Sequence, residues 1–476
     1  MTENSSTNAW NLNLGNMNQN NNNKTQNQRL VRPVSAYCKE TYHNKNNKKK
    51  IVMVTYESIF EAYFDCRHNK RNTANALEYE VCFEDVLIRL TDSINAKSYT
   101  PSRSIAFVVT RPRYREVFAA DFVDRVLHHW IVIRIEPLLE QTFSPRTFNC
   151  RKGKGTMAAV RQLKEDIMNC SERYTKDCWV ATADMRSFFM SIPKRRLADI
   201  VDQFIVDNYE GDDKGDLRWL TEMYIMHCPE NNCVLKSPEE MWNMFSHSKS
   251  LRYGDGTHGE PIGNLISQIL ANYYLNEFDW MLEREFGFRY HGRYVDDFYI
   301  VSEDKKKILA TMPAIRAYLA GIDITLHPHK FFIQHYTKGV RFVGNIVKAD
   351  RVYVLNRTVN GLRNAIERLN ANAKKAINAS ETMCDEAVWF GGVAGLLEKD
   401  VSSVNSYLGF MRHCNAYAVR RRMLAGISDD GYKVVSVVGH FEYIMLKGRY
   451  RRRRAMMDAL MRRDHDSVFP LIKCDT

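Results

Sequence analysis

"HGRYVDDFYIVS", residues 291–302, sets two adjacent aspartates inside a run that otherwise reads as strand. Tyr294, Val295, Phe298, Tyr299, Ile300 and Val301 favour strands, and Asp does not. Two like charges side by side repel, and a buried turn would strip their hydration as well. Asp296 and Asp297 therefore call for a compensating cation, for which a divalent metal is the usual candidate. A third aspartate stands in a similar place: "CWVATADMRSFFMSI" (178–192) reads as a strand running into a helix, with Asp184 at the strand's end. Three carboxylates converging at a strand edge can hold two Mg²⁺ ions. Such a pair of ions activates an attacking hydroxyl and stabilises a leaving pyrophosphate. An Asp-Asp pair taken alone reads equally well as a surface turn, so its surroundings must decide.

The chain has 476 residues, 45% of them hydrophobic, and a formal net charge of +12. The length suits two to four domain-sized units. The charge points to a polyanionic partner, nucleic acid or an anionic membrane surface. No apolar run approaches the ~18 residues of a spanning helix. The N-terminus lacks the pattern of a secretory signal. Eleven cysteines without a C-x-x-C pair read as reduced thiols of a cytoplasmic protein, not as a disulfide or zinc framework.

Residues 1–50 are Asn-rich, end in "NKNNKKK" and hold too little apolar surface to offset ordering entropy, which predicts a disordered basic tail. Helical spacing runs from 56 to 98. "SIAFVVTRPRYREVFA" (104–119) reads as a hairpin with a basic turn, followed by a helix over 121–140. Residues 194–225 read as helix and 226–258 as loop. "GEPIGNLISQILANYYLNEFDWMLEREF" turns at 259–263 and becomes a long helix. After the Asp-Asp hairpin come a helix over 304–320, a strand pair around "HKFFIQ" and "VRFVGNIV", and mostly helices from 356 onward. "KGRYRRRRAMMDALMRR" closes the basic C-terminal part.

Taken together and in order, these segments resemble the reverse transcriptases over about residues 100–425. "TRPRYREVFAADFVDRVLHHWIVIRIEPLLE" resembles the fingers motifs and "ADMRSFF" the first palm motif. "GEPIGNLISQILANYYLNEFD" resembles the Gly-Ser loop with its helix, "YVDD" the catalytic hairpin, and "HPHKFFIQHYTKGVRFVGNIV" the approach to the primer grip. Intron and retron enzymes usually carry Gln-Gly and Ser-Pro at the Gly-Ser loop. Ile262, Gly263, Ser267 and Gln268 stand there instead, a form similar to the enzymes of diversity-generating retroelements. "TFNCRKGKGTMAAV", "KSLRYGDG", "QHYTKGVRF" and "VNSYLGFMRHCNAY" also look like that subfamily. The long N-terminus and the Arg-rich C-terminus do not match it.

The resemblance implies an α+β right-hand polymerase with an antiparallel palm sheet. Fingers would span 51–180, the palm 181–355 with a fingers insertion at about 195–258, and an α-helical thumb 356–425. Residues 426–476 would be a basic extension. It implies RNA-directed DNA synthesis with Asp184, Asp296 and Asp297 as catalytic ligands of two Mg²⁺ ions. Template RNA, cDNA and dNTPs would be the partners, with a small basic accessory protein, in a bacterial or phage-encoded cytoplasmic enzyme with no membrane role. Errors would concentrate at template adenines. Two other readings stay open: an antiphage defence enzyme copying a dedicated noncoding RNA, and a catalytically silent RNA-binding protein.

The remaining residues follow from chemistry and resemblance together. Arg111, Arg113 and Arg115 on one hairpin suit a triphosphate, because guanidinium does not lose its proton; a solvated basic turn is the other reading. Phe189 lies where the family places the ring that excludes a ribose 2′-OH, within an apolar run that also suits core packing. Ile262 stands where related polymerases carry a Gln touching the incoming nucleotide, with Gly263 beside it. Phe342, Val343 and Gly344 match the primer-grip turn. Arg151, Lys152 and Lys154, with Gly153 and Gly155, are candidates for an RNA backbone, in a loop without P-loop spacing. Arg451, Arg452, Arg453 and Arg454, with Tyr450 beside them, are candidates for nucleic acid.

Overall fold

A computed structural model describes residues 54–68, 74–110, 113–382 and 395–447. The expected N-terminal tail, Arg111 and the cluster Arg451, Arg452, Arg453 and Arg454 lie outside the described residues.

The described residues open with three helices: Tyr56–Arg67, Ala74–Glu80 and Phe83–Asn95. The Thr55 hydroxyl accepts from the Ser58 amide and starts the first. Strands β1 (Ser104–Val109) and β2 (Arg115–Ala119) pair antiparallel, as the hairpin pattern predicts. The helix Phe122–Thr142 is started by Asp121 and sends Val126, Leu127, Trp130, Ile131, Ile135 and Leu139 into the largest core. The helix Thr156–Cys170 leads to β3 (Trp179–Asp184).

The single helix expected over 194–225 is two, Lys194–Asn208 and Lys214–Met226, broken where the Tyr209 hydroxyl donates to Asp213. Within the loop-rich stretch that follows, β4 (Cys233–Leu235) pairs parallel with β1. The long helix expected after residue 263 is likewise two, Leu265–Tyr274 and Asn276–Arg284. Then come β5 (Tyr290–Tyr294), β6 (Asp297–Ser302), the helix Lys305–Gly321 and β7 (Phe332–His335).

The central sheet runs β5–β6–β3–β7 and is antiparallel throughout. Both of its faces are covered. Ala181, Ala183, Phe298 and Ile300 point into the main core, while Val180, Tyr299 and Val301 point into a second one under the helix Thr156–Cys170. Side chains alternate across a strand, so two buried faces require an unbroken apolar run.

One pairing differs from expectation. β7 joins β3, and "VRFVGNIV" folds on itself as β8 (Val340–Phe342) and β9 (Asn345–Val347). Val343 and Gly344 make that turn with φ of 37° and 85°, the left-handed pair that a two-residue hairpin needs. β10 (Val352–Val354) completes this small sheet.

The C-terminal unit packs the helices Asn356–Thr382, Gly395–Arg412, Tyr417–Leu424 and Asp429–Val434 around Leu362, Leu369, Val404 and Leu408. It does not stop at residue 425. Strands β11 (Val435–Val438) and β12 (Tyr443–Leu446) form a hairpin, and Ile427, Val434, Val435 and Ile444 are buried in the same core. The boundary expected at 425 therefore cuts through a packed unit. The protein is of mixed α+β class.

Candidate active site

Asp184 ends β3 directly opposite Asp297, the first residue of β6. Tyr294 and Asp297 are paired across the hairpin, so Val295 and Asp296 are its two-residue turn. Register alone thus brings the three aspartates to one end of the sheet. The Met185 amide donates to the Asp296 carbonyl at 3.0 Å, and the His327 amide to the Asp184 carbonyl at 2.8 Å.

The turn is strained. Val295 has a φ of 58°, a region that a β-branched residue rarely enters. Its surroundings hold it there. The Val295 amide donates to Asn149 Oδ1 at 2.9 Å, its carbonyl accepts from Arg293 Nη1 at 3.1 Å, and its side chain is buried. Arg293 is fixed in turn by a fully buried ion pair with Asp279 at 2.6 Å, to which Thr147 also donates.

Charge dominates the site. Burial, and then the neighbouring Asp184, push the Asp296 carboxyl above its ordinary range. Burial, and then Asp296 and Asp184, push Asp297 up as well. Cations answer from two sides. The Lys330 ammonium lies 2.7 Å from each oxygen of Asp184. Arg115, half-buried at the start of β2, is lowered by burial and held up by the fields of Asp296, Asp184 and Asp297. With Asp184 turned to Lys330, no group of three His, Cys, Asp or Glu side chains is drawn together as a metal cage among the described residues. The donor set is nonetheless one of carboxylate oxygens only, which suits a hard divalent cation.

Around this centre, Phe189 is half-buried and meets Phe188 edge-on, with ring centroids 5.6 Å apart. Its carbonyl accepts from the Glu260 amide at 2.8 Å. The Ile262 carbonyl accepts from the Phe118 amide of β2 at 3.1 Å. Gly263 has a φ of 117°, and a Cβ there would come within 2.7 Å of Val117. The loop is thus wedged between β2 and Phe189. Beneath it Glu260 is fully buried beside Ser267 and Lys194, and burial pushes its carboxyl up to about 8. Arg113 is exposed. Phe342 is buried edge-on to Tyr299 at 5.0 Å, and Gly344 lies against Phe410 of the C-terminal unit.

One expectation is overturned. Arg151 is buried, and its guanidinium is bonded to Glu140 and to the carbonyls of Ser144 and Thr147. It holds the loop's own shape and presents nothing to a nucleic acid. Lys154 donates to the Pro145 carbonyl at 3.0 Å, whereas Lys152 is exposed and lies 3.7 Å from Glu136. The residues missed by sequence reasoning are Lys330, Arg293, Asp279 and Asn149. Only Lys330 left a local trace, as the one fixed positive charge in "HPHKFFIQ".

The family model of the reverse transcriptases (RNA-dependent DNA polymerases) matches residues 110–347, half of the chain. This protein belongs to the reverse transcriptase family. Among curated proteins it is similar to Protein YkfC of Escherichia coli (strain K12), 22% identical over an alignment of 278 residues, with 52% of this chain and 66% of that protein covered. It is also similar to the Putative COX1/OXI3 intron 2 protein of Saccharomyces cerevisiae (strain ATCC 204508 / S288c), 21% identical over 257 residues, 52% of this chain and 26% of that protein. The chain thus spans just under two thirds of the first relative and about a quarter of the second. No helix among the described residues is long and apolar enough to cross a membrane.

Proposed function

We propose that this protein copies template RNA into cDNA from dNTPs. The observation that carries the reading is the register of Asp184 against Asp297 with Asp296 in the turn between paired strands, inside the segment that matches the family. Asp184, Asp296 and Asp297 would hold two Mg²⁺ ions, which supply activation of the attacking hydroxyl and charge stabilisation on the leaving pyrophosphate. Arg115 and Arg113 would meet the triphosphate, Phe189 would exclude the 2′-OH, and the turn at Phe342, Val343 and Gly344 would seat the primer. Primer extension on RNA tests this. Asp297→Asn should lower extension by at least about 100-fold, a loss commonly seen when one charge-stabilising group is removed. RNA binding should persist, and near-normal extension by the variant would refute the assignment.

Within that class, the reading we favour is a diversity-generating retroelement enzyme working with a small basic accessory protein. Ile262 supports it. A polar residue at a nucleotide-contacting position loses its hydrogen bond when the incoming base is misplaced, and an unpaired buried group costs about 1–3 kcal/mol. That is roughly five- to 150-fold in discrimination. Ile262 offers no such bond and should tolerate misaligned nucleotides. Deep sequencing of cDNA made on a defined RNA should show substitutions concentrated at template adenines, lowered by Ile262→Gln more than errors elsewhere. Uniformly low error would favour a defence enzyme copying a dedicated noncoding RNA.

A further inference from the structure

Away from the aspartates, two cysteines meet behind the sheet. Cys170 ends the helix Thr156–Cys170, and Cys178 immediately precedes β3. Seven residues separate them, and the chain between is forced into a tight return. Glu172, Arg173 and Tyr174 have successive φ values of 46°, 58° and 71°, a left-handed run in which none is Gly. Such a run persists only where its surroundings impose it. Here the Thr175 and Lys176 amides both donate to the Ser171 carbonyl at 2.9 Å, and the Tyr174 hydroxyl donates to the Ala349 carbonyl at 2.7 Å. The return brings both cysteines to one core, Cys178 buried in it and Cys170 packed against it.

Their exposures differ. Cys178 is fully buried in the second core, whereas Cys170 is half-buried and lines a cavity of about 290 Å³ with Asn169, Glu172 and Ser302. A reachable sulfur backed by an unreachable one in the same core is the arrangement of an attacking thiol with its resolving partner. The neighbouring Cys178 favours the thiolate at Cys170 and lowers its pKa against the opposing effect of burial.

We propose that Cys170 and Cys178 are a reversible redox site that peroxide converts to an intramolecular disulfide. In the first step the Cys170 thiolate attacks one oxygen of hydrogen peroxide. An S–O bond forms, the O–O bond breaks, and the departing hydroxide takes up a proton as water. Sulfur is oxidised to the sulfenic acid and peroxide is reduced. In the second step the Cys178 sulfur attacks the sulfenic sulfur. The S–S bond forms, the S–O bond breaks, and the hydroxide leaves as water with the Cys178 proton. Two thiols and one peroxide thus give one disulfide and two waters. The bond ties the end of the helix to the base of β3, the strand that ends in Asp184.

Peptide mapping of the full chain without reductant tests this, because Arg173 and Lys176 lie between the two cysteines and trypsin separates them unless they are joined. After hydrogen peroxide, the two peptides should appear linked, with the loss of two hydrogens, and dithiothreitol should separate them again. In Cys178→Ala, which removes the resolving thiol, dimedone should label Cys170. In Cys170→Ser it should leave Cys178 unlabelled. Wild-type peptides that stay separate while other cysteines oxidise would overturn the proposal, as would sulfenic acid trapped on Cys178 or a bond formed only between two molecules. The wild-type measurement needs no variant to fold.

Discussion

Glu260 is a carboxylic acid placed where its anion has poor solvation, and its acidity reports that. Its folded pKa, pushed up to about 8 by burial, exceeds the ordinary 4.5, so the folded state holds the proton more tightly than the unfolded chain does. Stability from this group is therefore complete below pH about 4.5 and is lost as pH rises through about 8. Glu260→Gln keeps the shape and removes the titration. Chemical denaturation across that window should show a flatter pH dependence for the variant than for the wild type, and an identical slope would place the proton elsewhere. Phe189 offers a second test at this scale. If its ring excludes the ribose 2′-OH, Phe189→Ala should raise ribonucleotide incorporation in matched primer extensions. An unchanged level would leave Phe189 as packing beside Phe188.

At the scale of elements, the hairpin that carries two of the aspartates depends on groups far from it in sequence. Arg293 and Asp279 are both fully buried, so neither can be rescued by water when the other is lost. Arg293→Met should cost about 3–5 kcal/mol in denaturant unfolding, the usual loss on orphaning a buried charge. Adding Asp279→Leu should recover much of it, because a well-packed apolar pair of similar volume is often no worse. Failure of that recovery would show that the ion pair's hydrogen bonds to Val295 and Asn272 carry the hairpin. Legibility in the sequence follows the same divide. The β-branched and aromatic run around Asp296 and Asp297 was readable because a strand buried on both faces must be apolar throughout. The turn was readable because two adjacent aspartates fit no strand interior. Asn149, and Lys330 beyond its bare charge, were not readable, because each comes from 146 residues away and only register delivers it. Arg151 misled for the opposite reason: a Gly-flanked basic loop looks alike whether its arginine faces solvent or turns inward to Glu140.

For the whole molecule, the distribution of apolar burial decides where the chain can be cut. The hairpin β11–β12 looks expendable in a sequence that grows ever more basic, yet its Val435 and Ile444 are almost fully buried. Each such side chain stabilises by about 1.5–3 kcal/mol. A chain that ends after residue 425 should therefore melt markedly below one that ends after residue 447. Equal melting temperatures for the two truncations would mean that the hairpin packs without contributing. The sequence boundary was misplaced because two four-residue strands give too short an alternation to stand out beside "KGRYRRRR".

Lys330 has a consequence for how the protein comes into being. Its ammonium, 2.7 Å from both oxygens of Asp184, is a tethered counterion that travels with the polypeptide. The chain can therefore fold with its acidic centre already partly neutralised, and any ion that the three aspartates would hold need not be present for assembly. Exhaustive treatment with EDTA should then leave the melting temperature of the wild type unchanged. Lys330→Met, which removes the tethered charge and keeps the stem, should make that temperature rise when Mg²⁺ is added back. A wild type that melts early in chelator would show that assembly waits for the ion.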